Sequence, residues 1–218
     1  VTEGAIDVQA AAREAASVRK AHAAEIPSMA GVLARAFYGD PVFSWVLRED
    51  AGRMKLLERA FALFLRRVWI EEEETFTTAS VAGVAVWEPP GQWQNGVWEQ
   101  LRLLPAMIGV FRRHIPRTLR SLAALESGHP SEPQAEPHYY LPFIGVDPKW
   151  QGRGLGSAVL APILERCDRE RVPAFLEAST PRNRAMYERH GFTVMEEFQL
   201  GKGAPPQWRM WRAASTGS

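Results

Sequence analysis

Between Gly145 and Ser157 the chain reads Gly-Val-Asp-Pro-Lys-Trp-Gln-Gly-Arg-Gly-Leu-Gly-Ser, with glycines at 152, 154 and 156. An apolar, strand-like run precedes it. A helical pattern follows, in which Leu155, Val159, Leu160, Ile163, Leu164 and Cys167 share one face. Glycines let a backbone turn tightly and come close to a ligand with no Cβ in the way. Exposed N–H groups and the positive end of the following helix then favour a phosphate. The segment reads as a pyrophosphate-binding turn, although it is neither of two common phosphate motifs. A dinucleotide fingerprint would place glycine where Ser157 stands, and a P-loop would need Gly-Lys-Ser/Thr, which the chain lacks. The competing reading is a plain strand-to-helix connection with glycines for tight packing.

A second kind of chemistry is proton transfer. Glu177 lies mid-strand between Leu176 and Ala178, on the face of Phe175 and Ser179. Burial there would raise its pKa toward neutrality and make it a general base. A structural carboxylate bonded to backbone is the equal alternative. Glu88, Asp40, His114 and His138, or a relaying water, stay open for the same role. Metal chemistry finds no support. His22, His114, His129, His138 and His190 show no ligand spacing, and Cys167 is the single cysteine and falls on an apolar stripe.

Gln151-x-x-Gly154-x-Gly156 after a strand resembles the acetyl-CoA signature of the GNAT N-acetyltransferase family. The likeness continues as Ala178-Ser-Thr-Pro-Arg-Asn183 and Tyr187-Glu-Arg-His-Gly-Phe192. It is strong over residues 138–198, and Ala85-Val-Trp-Glu-Pro-Pro90 upstream extends it weakly toward puromycin N-acetyltransferase-like, antibiotic-modifying members. The resemblance implies an α/β fold: a central mixed, twisted β-sheet flanked by helices, with a splayed parallel strand pair forming an acetyl-CoA cleft. It also implies an acyltransferase that moves acetyl from acetyl-CoA directly to a primary amine of a small molecule. A protein or peptide acceptor, or a non-catalytic acyl-CoA-binding or sensing protein on the same fold, is the rival.

The resemblance assigns residues as well. Backbone groups of Ile144 and Val146 would pair with the pantetheine arm like an added strand. Gly145 would allow the close approach. Gln151, Gly152, Arg153, Gly154, Leu155, Gly156 and Ser157 would hold the pyrophosphate. Asn183 would reach the pantetheine arm, although Ser179, Thr180 and Asn183 are also ordinary helix-capping types. Tyr187 alone on a short helix reads as core packing. In this motif it becomes the acid that protonates the departing thiolate, since a phenol of pKa near 10 keeps its proton at neutral pH.

The elements that must position these groups follow from periodicity. Ser17–Lys20 reads as a short strand, and Ile26, Met29, Leu33 and Phe37 mark a helix that Gly39-Asp40-Pro41 ends. A second helix runs from Arg53 to about Glu72, and Thr75–Ala79 with Ala82–Trp87 form a hairpin. Residues 95–127 are helical, with breaks expected at Pro105 and Pro116. Five arginines lie between Leu101 and Ser121, a solvated face in preference to an acidic-ligand patch. Residues 127–137, with three prolines, form a loop. Then come a strand at 138–146, a helix at 154–171, strand 174–179, helix 182–190, strand 192–198 and strand 207–212. This spacing predicts a parallel pair joined by a crossover helix.

The domain plan is a flexible arm at 1–16, one N-acetyltransferase domain at 17–212 and a flexible tail at 213–218. The acceptor side occupies roughly 17–127 and the acetyl-CoA core roughly 138–198. Phe37, Tyr38, Phe43, Trp45, Trp87, Trp93, Trp98, Tyr139 and Tyr140 are candidates for the acceptor wall, because aromatic walls bury area at little entropy cost.

Composition bounds the rest. The 218 residues carry 26 basic and 25 acidic side chains, a net charge of +1, which gives no electrostatic case for nucleic acid or a membrane surface. One cysteine fits a reducing compartment. No apolar run approaches 18 residues, and the first twenty lack a signal-like apolar core, so a cytoplasmic protein is expected. A homodimer is compatible with all of this.

Overall fold

The computed structural model describes residues 8–47, 51–66, 74–91, 97–130 and 136–214. The chain begins with α1 (Val8–Ala15), β1 (Arg19–Lys20), α2 (Ile26–Phe37), α3 (Pro41–Leu47) and α4 (Arg53–Phe64). Strands β2 (Thr75–Thr77) and β3 (Gly83–Glu88) come next, then α5 (Val97–Phe111) and α6 (Ile115–Ser127). The remainder alternates: β4 (Tyr139–Val146), α7 (Leu155–Glu170), β5 (Ala174–Ala178), α8 (Pro181–Arg189), β6 (Thr193–Phe198) and β7 (Gln207–Arg212). The strands form one seven-stranded sheet in the order β1-β2-β3-β4-β5-β7-β6. Its pairs are antiparallel except β4 with β5, the parallel pair that α7 connects.

Alternation along β3 explains the two layers. Val84 and Val86 pack with Met29 and Leu33 of α2 and Leu57 and Phe61 of α4, while Ala85 and Trp87 pack with Val159, Leu160 and Ile163 of α7. Every β3 residue is therefore buried, as expected of a strand covered on both faces.

The decisive irregularity is in β4. Phe143 stands opposite Val86 and Tyr140 opposite Glu88, so Leu141 and Pro142 together face Trp87 alone. This bulge inverts the strand's alternation. Before it, Tyr139 and Leu141 face α7. After it, Ile144 faces α7 and Phe143 faces α2. Backbone direction inverts with it. The Tyr139 N–H reaches Pro173 on the β5 side, whereas the Asp147 N–H reaches Ala82 on the β3 side. Between them, the backbone groups of Ile144 and Val146 point away from β3, toward β5. There they meet no ladder, because β5 pairs with β4 only from Tyr139 to Leu141. The parallel pair is splayed, as the family resemblance implied.

Other details differ from the sequence reading. Val8–Ala15 is a helix with Ala11 buried, not a loose arm through residue 16. Its partners include Leu155 at the start of α7. Pro105 lies inside α5 without ending it, and the break comes at Arg112–His114, with Pro116 in the first turn of α6. Burial of Met107 and Phe111 beyond the proline outweighs the roughly 3 kcal/mol that an internal proline costs. The α4 helix ends at Phe64, and residues 67–73 lie outside those described. Among the described residues, no helix is long and apolar enough to cross a membrane.

Gly145 serves packing. A Cβ there would sit 2.9 Å from Leu33 Cδ2 and 3.0 Å from Ala36 Cβ, so α2 lies against β4 only because the side chain is absent. Gly145→Ala should cost about 1–3 kcal/mol by overpacking, read as an earlier urea midpoint. An unchanged midpoint would contradict this contact.

Candidate active site

The glycine turn follows the splayed end of β4. Gly152 and Gly154 have φ of +74° and +85°, and a Cβ at either would meet nothing within 4 Å. Backbone conformation, not crowding, requires glycine there. Gly156 is different: a Cβ would come 3.3 Å from Met186 Sδ, so it lets α8 approach α7. Gly154 caps α7, whose first residue Leu155 is buried, and the helix N-terminus opens onto the turn. Gln151 donates Nε2–H to the Val146 carbonyl at 3.0 Å. Asp147 anchors the other side, receiving Arg35 Nε at 2.9 Å and Nη2 at 2.7 Å. Ser157 Oγ is joined to His190 Nε2 at 2.8 Å, tying α7 to the end of α8. Arg153 is half-buried beside the turn.

On the α2 side of the splay lies a cavity of about 450 Å³. Phe37, Phe43, Phe64, Met107, Phe111 and Phe143 supply apolar wall; Asp40, Glu88, Tyr140, Glu177, Asn183 and Tyr187 supply polar groups. Thr118 and Ser121 also line it, but their hydroxyls donate to their own helix, to the His114 and Arg117 carbonyls. The walls are thus less polar than their residue types suggest. Phenylalanines, not tryptophans, dominate. Of the aromatic candidates among the described residues, Phe37, Phe43 and Tyr140 line the cavity. Trp87 is fully buried against α7, and Tyr139 faces the same core. Tyr38 is exposed and Trp45 stacks under Arg117. Trp93 and the Trp98 side chain lie outside the described residues.

Glu177 is the cavity's distinctive carboxylate. Oε2 accepts the Tyr140 hydroxyl at 2.9 Å, while Oε1 is sealed from solvent with no hydrogen-bond partner. Burial pushes its pKa up, the Tyr140 hydrogen bond and Arg209 pull it down, and burial prevails, leaving it at about 7. Tyr187 packs edge-on against Phe192. Burial, and then the charge of Asp40, push its phenol well above the usual range, so it keeps its proton.

The other base candidates separate on geometry. Asp40 Oδ1 caps α3 by accepting the Val42 and Phe43 N–H groups at 2.9 and 3.0 Å, and Oδ2 accepts Ser179 Oγ at 2.5 Å. Its oxygens are committed, although burial raises its pKa. His114 meets Arg113 Nε and does not line the cavity. His138 donates Nδ1–H to the Glu136 carbonyl and lies 3.0 Å from His129 Nε2 through its own Nε2. Burial, with the charge effects of His138 and Arg209 adding, holds His129 down at about 3, so His129 stays neutral on the cavity wall beside His138. Thr180, not Asn183, caps α8: its Oγ1 accepts the Asn183 N–H at 3.1 Å, and the Asn183 side chain is left at the cavity.

A larger hollow, about 830 Å³, lies between α2, α4 and Asp147–Trp150. None of the buried unpartnered polar atoms lines it, and it shares no lining residue with the cavity of Glu177 and Tyr187. Sequence reasoning missed Gln207 there, a buried side chain whose Nε2 has no partner. No local pattern marks it, since its place on the cavity face depends on β7 pairing with β5.

A family model described as the acetyltransferase (GNAT) family matches residues 113–192. An uncharacterized N-acetyltransferase of Schizosaccharomyces pombe is 25% identical over 194 residues, 84% of this chain and 77% of that protein. The crystal structure of histone acetyltransferase HPA2 and related acetyltransferase from Corynebacterium glutamicum is similar at a TM-score of 0.69 and 21% identity, over 93% of this chain and 98% of that one. Arylalkylamine N-acetyltransferase 2 from Aedes aegypti is similar at 0.63 and 14% identity, over 91% and 98%. The matched family residues include the glycine turn and Tyr187.

The raised carboxyl has a consequence for stability. Folded Glu177 holds its proton to about pH 7, whereas the unfolded group releases it near the ordinary 4.5. Between those values the folded state binds more protons, so stability falls as pH rises, by at most about 3 kcal/mol. Glu177→Gln removes that loss. Its urea midpoint should exceed the parent's at pH 8, and the gap should close by pH 4. A gap independent of pH would contradict a buried, raised carboxyl.

Proposed function

We propose that the chain is an acyltransferase of the GNAT kind, whose family model matches residues 113–192, and that it acetylates the primary amine of a small molecule, using acetyl-CoA. The observation that carries this reading is one opening. The unladdered backbone of Ile144 and Val146 leads from the glycine turn to a cavity holding both a raised carboxylate and a protonated phenol.

Ile144 and Val146 offer main-chain groups to the amide-rich pantetheine arm in the manner of strand addition. The α7 N-terminus and the Gln151–Ser157 turn take the pyrophosphate. Asn183, half-buried at the cavity, offers its amide to the same arm. Glu177 accepts the proton that the amine loses as its nitrogen bonds to the thioester carbonyl carbon. When the carbon–sulfur bond breaks, Tyr187 gives its phenolic proton to the departing thiolate. Atoms and charge balance: amine and thioester become amide and thiol. A pKa of about 7 suits a base working near neutrality. A cavity of about 450 Å³ is of the size that takes a small molecule.

The test is thiol release from acetyl-CoA across puromycin, arylalkylamines, polyamines and peptide N-termini, with blanks lacking enzyme and acceptor. Turnover with a small amine is expected, and turnover with peptides alone would overturn the acceptor class. The rate should rise with pH through an apparent pKa of about 7, a step that Glu177→Gln abolishes. Tyr187→Phe should lower kcat by roughly 10²–10⁴ while acetyl-CoA affinity stays within about twofold. Unchanged kcat would remove Tyr187 from the mechanism. Gly154→Val forces a β-branched residue to φ of +85° and should weaken acetyl-CoA binding. Retained affinity would contradict the pyrophosphate assignment.

A further inference from the structure

Two buried polar atoms of the cavity lack partners: Glu177 Oε1, an acceptor, and Gln207 Nε2, a donor. Gln207 is 4% exposed, and an unmade hydrogen bond at such a site costs about 1–3 kcal/mol. The two share a face. Glu177 pairs across the ladder with Arg209, and Gln207 lies two residues along the same strand, on the same side of β7. Diagonal neighbours of this kind stand about 7–8 Å apart at the backbone, close enough for both side chains to meet one small ligand. Next to them the wall is apolar, formed by Phe37, Phe43, Phe64, Met107, Phe111 and Phe143. The aliphatic hydroxyls of Thr118, Ser121 and Ser179 are already engaged: Thr118 and Ser121 donate to their own helix, and Ser179 donates to Asp40.

We propose that the acceptor is an amine with an apolar, aryl-sized body that carries a hydroxyl a few bonds from the nitrogen, the nitrogen meeting Glu177 and the hydroxyl meeting the Gln207 carboxamide. This rests on the acetyltransfer reading and narrows its substrate class. A site built around an unpaired buried donor discriminates strongly against the analogue that leaves it unpaired, whereas apolar fit alone discriminates weakly. Gln207 is therefore the specificity-determining residue and Phe143, with its neighbours, the shape-determining wall.

Two matched pairs test it: 2-phenylethylamine against 2-amino-1-phenylethanol, and 3-phenylpropylamine against 3-amino-1-phenylpropan-1-ol. Each is titrated calorimetrically into the protein saturated with coenzyme A, and each is assayed for thiol release with acetyl-CoA. At least one alcohol should bind about tenfold tighter than its parent amine. In Gln207→Leu that ratio should collapse toward one, a change that mere loss of stability would not produce. Gln207→Asn should keep part of the ratio. Equal affinities within both pairs would overturn the proposal even where amines are acetylated, and so would the absence of binding by all four while coenzyme A binds. Failure of coenzyme A itself to bind would instead strike the acetyltransfer reading on which the proposal rests.

Discussion

One extra residue in β4 organises the site. With Leu141 and Pro142 set against Trp87 alone, the strand's parity inverts midway. Its first half can then ladder with β5 while its second half turns the Ile144 and Val146 backbone groups away from β3, where they join no ladder. A regular strand would have sent those groups to β3 and left no slot. Pro142 suits the position because it has no N–H to leave unpaired. The inverted parity also aims Phe143 into the aromatic group of Phe37, Phe43 and Phe61. The same bulge thus opens the strand pair and builds part of the acceptor wall.

The electrostatics of the site rest on competition between burial and a few hydrogen bonds. For Glu177 burial is the larger effect, and the Tyr140 hydroxyl holds the result at about 7 instead of higher. Arg209 acts from behind. It pairs with Glu196, donates Nη2–H to the Ala124 carbonyl at 3.2 Å and stacks on Phe198 at 3.9 Å. That ties β7 to the end of α6, and Gly128 leaves room for the guanidinium, which a Cβ would strike at 1.8 Å. Its positive charge also lowers the pKa of Glu177 and His129 together. One buried cation thereby fixes the shape of the cavity wall and tempers the base.

What was legible in the sequence follows physical rules that act locally. Gly152 and Gly154 announce a positive-φ turn before a helix, and the structure has one. The α7 stripe, the parallel crossover and the strand at Gln207–Arg212 were readable from period alone. Glu177's raised carboxyl followed from its place in an apolar strand. The bulge was not legible, because it is a property of pairing between strands more than fifty residues apart. Neither were the phenylalanine wall, assembled from five elements, or Gln207, which reaches the cavity only through β7 register. The proline rule failed at Pro105 because tertiary burial of Met107 and Phe111 outweighs a local penalty. That α2 uses the missing side chain of Gly145 was not legible either, because it depends on how α2 packs on β4.

The central claim is that the splayed end of β4, and not the larger hollow beside Asp147, receives the cofactor. The most direct measurement is an amide ¹H–¹⁵N NMR titration of the protein with coenzyme A. The largest shifts should fall on Ile144, Val146 and the turn from Gly152 to Gly156. Shifts confined to Arg35, Arg59 and Lys149 around the hollow, with the β4 amides unmoved, would contradict the account.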